Sequence, residues 1–122
     1  MIEAVEVMWL IVEREKLNRR RQKMEGELAR AVDELKRMGA ERIVPIGSMA
    51  EGDIGPCSDI DLVVVMQTDK RFLDRLKEAY GRIRPSVAMD ILVYSPQEMD
   101  ELRETNAFVM HALEKGRVLY AA

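Results

Sequence analysis

The sequence predicts an α+β domain, a mixed β-sheet flanked by helices and preceded by a long N-terminal helical segment. Three observations carry this. The first 38 residues contain no proline and one glycine, Gly26. Three short apolar runs rich in β-branched residues follow, at Arg42–Ile46, Ile60–Met66 and Val87–Tyr94. Helical apolar spacing fills the stretch between the second and third runs and the stretch after the third. A chain of 122 residues makes one domain the natural reading and is long enough for a real core. We divide it into an N-terminal helical extension, residues 1–22, and a domain over residues 23–122.

Within the N-terminal segment, Leu28, Val32, Leu35 and Met38 share one helical stripe, and Leu10, Leu17, Met24, Ala31 and Met38 recur at seven. A very polar stretch, Glu13–Glu27, separates an apolar N-terminal portion from that stripe, so one long helix or two consecutive ones are expected. The C-terminal part packs on the domain. Met8, Trp9, Leu10, Ile11 and Val12 are too apolar for a free helix; they call for folding back or for another chain, and self-association is the favoured reading. Gly39 is placed as the helix stop.

Arg42–Ile46 reads as a strand with Pro45 inside it, hence at an edge or beside an unpaired position. Gly47–Ser58 is turn and loop. Ile60–Met66 is apolar almost throughout, as in a central strand covered on both faces. Thr68 or Asp69 is read as the N-cap of a helix from Lys70 to about Arg82, with Phe72, Leu73, Leu76, Ala79 and Tyr80 buried and Gly81 and Pro85 bracketing its end. The third strand carries Asp90 in its middle. Ser95-Pro96 opens a further helix, and Glu98 completes a capping box. Asn106–Lys115 reads as a last helix, ended by Gly116, and Val118–Tyr120 as a short terminal strand.

Composition narrows the function classes. Hydrophobic residues are 48% and charged residues 34%, the balance of a globular chain. No apolar run is long enough for a membrane span, and the N-terminus lacks the pattern of a secretory signal. The single cysteine, Cys57, allows no internal disulfide and points to a cytoplasmic location. A formal net charge of −3 argues against a general nucleic-acid coat, although a tRNA-like acceptor stays open. Arg19, Arg20, Arg21 and Lys23, interleaved with Glu13, Glu15 and Glu25, read first as a solvated helix face.

The chemistry-bearing stretch is Arg42–Val65. An apolar run ends in Gly47-Ser48, a loop with Gly52 and Gly55 follows, and a second apolar run opens with Asp59 and Asp61. Residues two apart on a strand face the same way, so these carboxylates project together. They repel unless a cation lies between them, and hard oxygen ligands of this kind suit Mg²⁺ with phosphate oxygens and water. Asp90, flanked by Ala88, Met89, Ile91 and Leu92, is a third acid in apolar company and joins the same cluster if its strand lies beside the second. Gly47 admits a ligand close to the backbone, and Ser48 adds a donor at an anion-sized turn.

Gly47-Ser48-Met49-Ala50-Glu51-Gly52, then Ser58-Asp59-Ile60-Asp61-Leu62-Val63, then Asp90-Ile91-Leu92-Val93 together resemble the DNA polymerase β-like nucleotidyltransferase superfamily, in its minimal nucleotidyltransferase branch. The ending Glu114–Tyr120 is similar to the close of that domain, and the resemblance spans about Leu28 to Tyr120. It implies a polymerase β palm-like fold. It implies that Gly47, Ser48, Gly52 and Ser58 bind the nucleotide and that Asp59, Asp61 and Asp90 are catalytic and hold two Mg²⁺. The donor would be ATP or another nucleoside triphosphate, a hydroxyl the acceptor, and pyrophosphate the product. By the same analogy the acceptor is a tyrosine of a helical HEPN-type toxin, with this chain as antitoxin. Glu51 stands where such proteins often carry arginine. Two other readings compete: a non-catalytic module that binds nucleotide or partner, and transfer to a small molecule of aminoglycoside type.

Overall fold

The computed structural model describes residues 4–46, 60–115 and 118–122. In chain order the elements are α1 (Ala4–Met38), β1 (Arg42–Ile46), β2 (Ile60–Val65), α2 (Phe72–Ile83), β3 (Met89–Tyr94), α3 (Pro96–Thr105), α4 (Ala107–Lys115) and β4 (Tyr120–Ala121). The fold class is the expected one. Four strands form one sheet in the order β3-β2-β1-β4, with β2 and β3 parallel and the other neighbours antiparallel.

The helical segment is one unbroken helix of 35 residues. It stops at Gly39, which has φ of 106°. Gly39 N–H donates to the Lys36 carbonyl at 3.0 Å and Ala40 N–H to the Leu35 carbonyl at 2.9 Å. This is a Schellman closure, and buried Ala40 follows it beside buried Leu35. Among the described residues, α1 meets the domain through its C-terminal half, where Met24, Ala31 and Leu35 are buried.

The main core fills the space between α1, α2 and one face of the sheet. It contains Leu35, Ile43, Ile60, Leu62, Val64, Ala79, Ile83, Ile91 and Val93. A smaller cluster on the other face joins Val63 and Val65 to Met99 of α3, with Leu113 of α4 packed against it. β2 is therefore the central strand of the prediction, and all its residues but Asp61 are buried. Pro45 is buried opposite Leu62, with no β4 residue on its other side, since β4 pairs only with Arg42 and Ile43. Leu119 N–H donates to the Ile43 carbonyl at 2.9 Å, so Ile43 turns its polar groups toward β4. Pro45, two residues on, directs its missing N–H to the same side, past the end of β4.

The capping box opens α3 as expected. Glu98 N–H donates to Ser95 Oγ at 3.2 Å and Ser95 N–H to Glu98 Oε1 at 3.0 Å. α2 departs from its prediction at its start, while its end falls between Gly81 and Pro85 as expected. Its N-cap is Arg71 and makes no side-chain cap bond; Thr68 instead accepts from Lys70 N–H at 3.1 Å, a local turn that uses up the hydroxyl before the helix begins. The helix runs through Gly81 to Ile83 and ends with Arg84 in the left-handed region, φ 47°, its N–H on the Tyr80 carbonyl. Leu73 lies outside the buried stripe, at 70% exposure, whereas Arg75 is inside it. Arg75 donates to the carbonyls of Lys70 at 2.8 Å and Val93 at 3.2 Å and to Glu98 Oε1 at 2.6 Å, so it knits α2, β3 and α3 together. The terminal strand sits later than predicted, at Tyr120–Ala121. Lys36 Nζ stands 4.5 Å from the ring centroid of Tyr120, a cation–π contact that ties α1 to β4.

Candidate active site

The strands bring two of the three predicted aspartates side by side. In the parallel β2–β3 pairing the register partner of Asp61 is Asp90. Neighbouring strands lie about 4.8 Å apart, and partners in register face the same way. Both carboxylates therefore stand on the sheet face opposite the main core. Ile46, the last residue of β1, is the register partner of Asp61 on its other side. The three-strand row Ile46–Asp61–Asp90 thus lies where β1 hands over to the Gly47–Asp59 connection. Gly47, Ser48, Gly52, Ser58 and Asp59 lie outside the described residues, as do Glu51 and Cys57.

What covers this face decides its chemistry. α3 and α4 pack mainly farther along the strands, on Val63, Val65 and Tyr94, in a cluster that reaches back to Ile46. Asp61, two residues before Val63, is half-buried, and Asp90, four before Tyr94, is exposed. Among the described residues the two carboxylates thus border a packed apolar layer, Asp61 half-buried against it and Asp90 on its exposed side. A hard, hydrated cation needs that balance: fixed ligands on one side and room for water and phosphate oxygens on the other. Among the described residues no cluster of three metal-ligating side chains occurs, and two carboxylates in register are what they offer.

One further residue sets this geometry, and the sequence reading missed its role. β3 is an edge strand, and its outer edge exposes the Met89 carbonyl and the Ile91 N–H on either side of Asp90. The Tyr80 hydroxyl donates to Met89 O at 3.1 Å and accepts from Ile91 N–H at 3.0 Å. A single oxygen on α2 thereby replaces a missing strand where Asp90 must hold its register. The sequence placed Tyr80 in the buried stripe of α2; what it could not show was that the stripe abuts a strand edge.

A cavity of about 300 Å³ lined by Arg42, Arg103, Met110, Leu113 and Glu114 lies elsewhere on the molecule. Arg42 pairs with Val65, at the far end of β2 from Asp61, so this cavity is separate from the carboxylate row.

The model of the nucleotidyltransferase domain family matches residues 25–86, half of the chain, from the packed part of α1 to the approach to β3. The chain belongs to the nucleotidyltransferase domain family. The match includes β1, the Gly47–Asp59 connection and Asp61, and stops short of Asp90. Among solved structures the chain is similar to a candidate nucleotidyltransferase from Sulfolobus solfataricus, at 26% identity and a TM-score of 0.49, covering 65% of this chain and 78% of that one. Among curated proteins no match is found. Nucleotidyl transfer is thus the chemistry of this domain, and no described helix is long and apolar enough to cross a membrane.

Proposed function

We propose that this nucleotidyltransferase domain moves a nucleoside monophosphate, AMP from ATP, onto a hydroxyl group and releases pyrophosphate. The observation that carries this reading is the register of Asp61 with Asp90 on adjacent parallel strands, within a chain of this family. The donor set fits Mg²⁺, since paired carboxylates in register are hard oxygen ligands whose mutual repulsion a divalent cation removes. Asp61 and Asp90, with Asp59, would hold it. When bound, such ions neutralise triphosphate charge and clamp the attacking and leaving oxygens. The chain's own residues do the rest. Gly47, Ser48, Gly52 and Ser58 are assigned to the triphosphate. The acceptor oxygen bonds to the α-phosphorus, the bond to the bridging oxygen breaks, and pyrophosphate leaves with that electron pair. Asp90, at the exposed end of the row, takes the hydroxyl proton.

A domain of this size leaves little surface for an acceptor pocket of its own, so the acceptor is placed on a partner protein. A tyrosine of a helical HEPN-type protein is the specific candidate, and an antitoxin role in the cytoplasm goes with it. The test is incubation with Mg²⁺ and α-labelled ATP, with and without such helical partners. Label is expected on the partner with wild-type chain and not with Asp61→Asn or Asp90→Asn. Failure of every partner to take label, together with no ATP binding, would overturn the proposal. If the aspartate variants masked the partner as well as wild type does, the domain would be a binding module instead.

A further inference from the structure

Asp90 is the second residue of an edge strand, so the way that strand enters the sheet decides where its carboxylate stands. Residues Arg84–Ala88 join α2 to β3 and belong to neither a helix nor a strand. Pro85 brings no N–H to this connection. Its two ends are fastened locally and by the sheet: Arg84 N–H donates to the Tyr80 carbonyl at 2.9 Å, and the Ala88 carbonyl accepts from Ile60 N–H at 3.0 Å. The further polar contacts among the described residues come from α1, more than fifty residues earlier in the chain. Glu27 accepts from Ser86 N–H at 2.9 Å. Arg30 donates to the Arg84 carbonyl at 3.2 Å and to the carbonyl of Ile83, the last residue of α2, at 2.5 Å.

Two routes lead from these bonds to Asp90. Along the chain, Ser86 lies four residues before it. Across space, Ile83 and Arg84 end α2, and Tyr80 stands one turn earlier. Tyr80 takes Arg84 N–H on its carbonyl, while its hydroxyl bonds the Met89 carbonyl and the Ile91 N–H on either side of Asp90. The apolar side of the joint runs the same way, since Met24, three residues before Glu27, and Met89, next to Asp90, are buried in one core. Holding α1 on the domain does not require this placement, because Ala31 and Leu35 already bury its C-terminal half. Glu27 and Arg30 instead close on the one connection that delivers β3, and Asp90 with it, to the sheet.

We infer that Glu27 and Arg30 are positioning residues: from α1 they fix the α2–β3 connection so that Asp90 stands in register with Asp61. The kinetic consequence rests on the reaction proposed above; the coupling itself is a property of the fold.

Amide hydrogen exchange tests the coupling without any substrate. In Glu27→Ala the Ile91 amide should exchange about tenfold faster relative to the Val64 amide of the central strand. Arg30→Ala should act in the same direction. Glu27→Gln, which keeps an oxygen for Ser86 N–H, should recover most of the protection. Gly39→Ala, just past the opposite end of α1, should leave the ratio unchanged. With Mg²⁺, α-labelled ATP and a partner that takes label, Glu27→Ala should lower kcat roughly tenfold and leave KM for ATP within about twofold. In an Asp90→Asn chain the same substitution should cost nothing further, because its effect passes through Asp90. The inference is overturned if the Ile91-to-Val64 ratio is the same in Glu27→Ala and wild type. It is overturned too if Glu27→Ala slows the Asp90→Asn chain as much as it slows wild type, which would mark a loss of fold and not of position. A wild-type chain that labels no partner removes the reaction proposed above, and the exchange ratio still decides whether α1 positions Asp90.

Discussion

At the scale of single residues, the site rests on a register. Asp61 and Asp90 belong to strands nearly thirty residues apart, and only the parallel pairing makes them neighbours. Asp61→Asn and Asp90→Asn each keep the volume and remove the charge, and each should lower labelled-AMP transfer by about a hundredfold or more. Urea midpoints should barely change, because neither carboxylate is fully buried. A transfer rate unchanged in either variant would remove that residue from the chemistry. Tyr80→Phe tests the frame behind them. It strips the edge of β3 of a donor and an acceptor together and should cost about 1–3 kcal/mol. The sharper readout is the Ile91 amide, which has the Tyr80 oxygen as its partner and should exchange much faster in the variant. An Ile91 amide equally protected in both proteins would show that the hydroxyl does not hold this edge.

At the scale of elements, what was legible in the sequence was what is encoded locally. Gly39 ends α1, Ser95 and Glu98 cap α3, and the limits of β1 come out as read, because each depends on residues within a few positions. The predicted cap at Thr68 or Asp69 gives way to Arg71, and for Thr68 the reason is equally local, since its hydroxyl closes an earlier turn. The buried Arg75 and the exposed Leu73 were out of reach because they depend on which strand and helix α2 meets. The carboxylates followed the same division: their presence and order were readable, and the Asp61–Asp90 register waited for the sheet. Glycines give a test at this scale with opposite signs. A Cβ would meet nothing within 4 Å at Gly39 or at Gly81, so crowding decides neither. At Gly39 the φ of 106° remains, and Gly39→Ala should lose about 1–2 kcal/mol. Gly81 lies inside α2 with an exposed, ordinary helical backbone, and Gly81→Ala should gain up to about 1 kcal/mol. Both are read from urea denaturation, and shifts of the same sign would contradict the assignment of one as a stop and the other as helix interior.

At the scale of the whole molecule, the long helix is held to the domain by a polar latch as well as by the core. Glu27 accepts from Arg30 Nη2 at 2.9 Å and from Ser86 N–H at 2.9 Å, while Arg30 donates to the carbonyls of Ile83 at 2.5 Å and Arg84 at 3.2 Å. These bonds fasten α1 to the turn between α2 and β3, where Arg84 already sits in the left-handed region. The Arg30 guanidinium first, and the Ser86 N–H after it, hold the Glu27 carboxyl down to about 2 from an ordinary 4.5. A carboxyl depressed in the folded state stabilises the fold fully above its unfolded value and loses that contribution as pH falls toward the folded one. The loss therefore falls between about pH 4.5 and pH 2. Glu27 is only 13% exposed but Arg30 is 44% exposed, so water screens the pair, and about 1–2 kcal/mol is a fair size for the effect. Glu78, held low by Lys70, and Glu98, held low by the Ser95 N–H and then by Arg75, act in the same direction and steepen the decline. Glu27→Gln keeps the shape and removes the titrating group. The variant should be less stable than wild type at neutral pH by about that amount, and the gap should close as both are taken to pH 2. Urea midpoints measured across this range decide it. A gap that stays constant down to pH 2 would mean that the latch holds by shape alone and that the charge on Glu27 contributes nothing to fastening the helix.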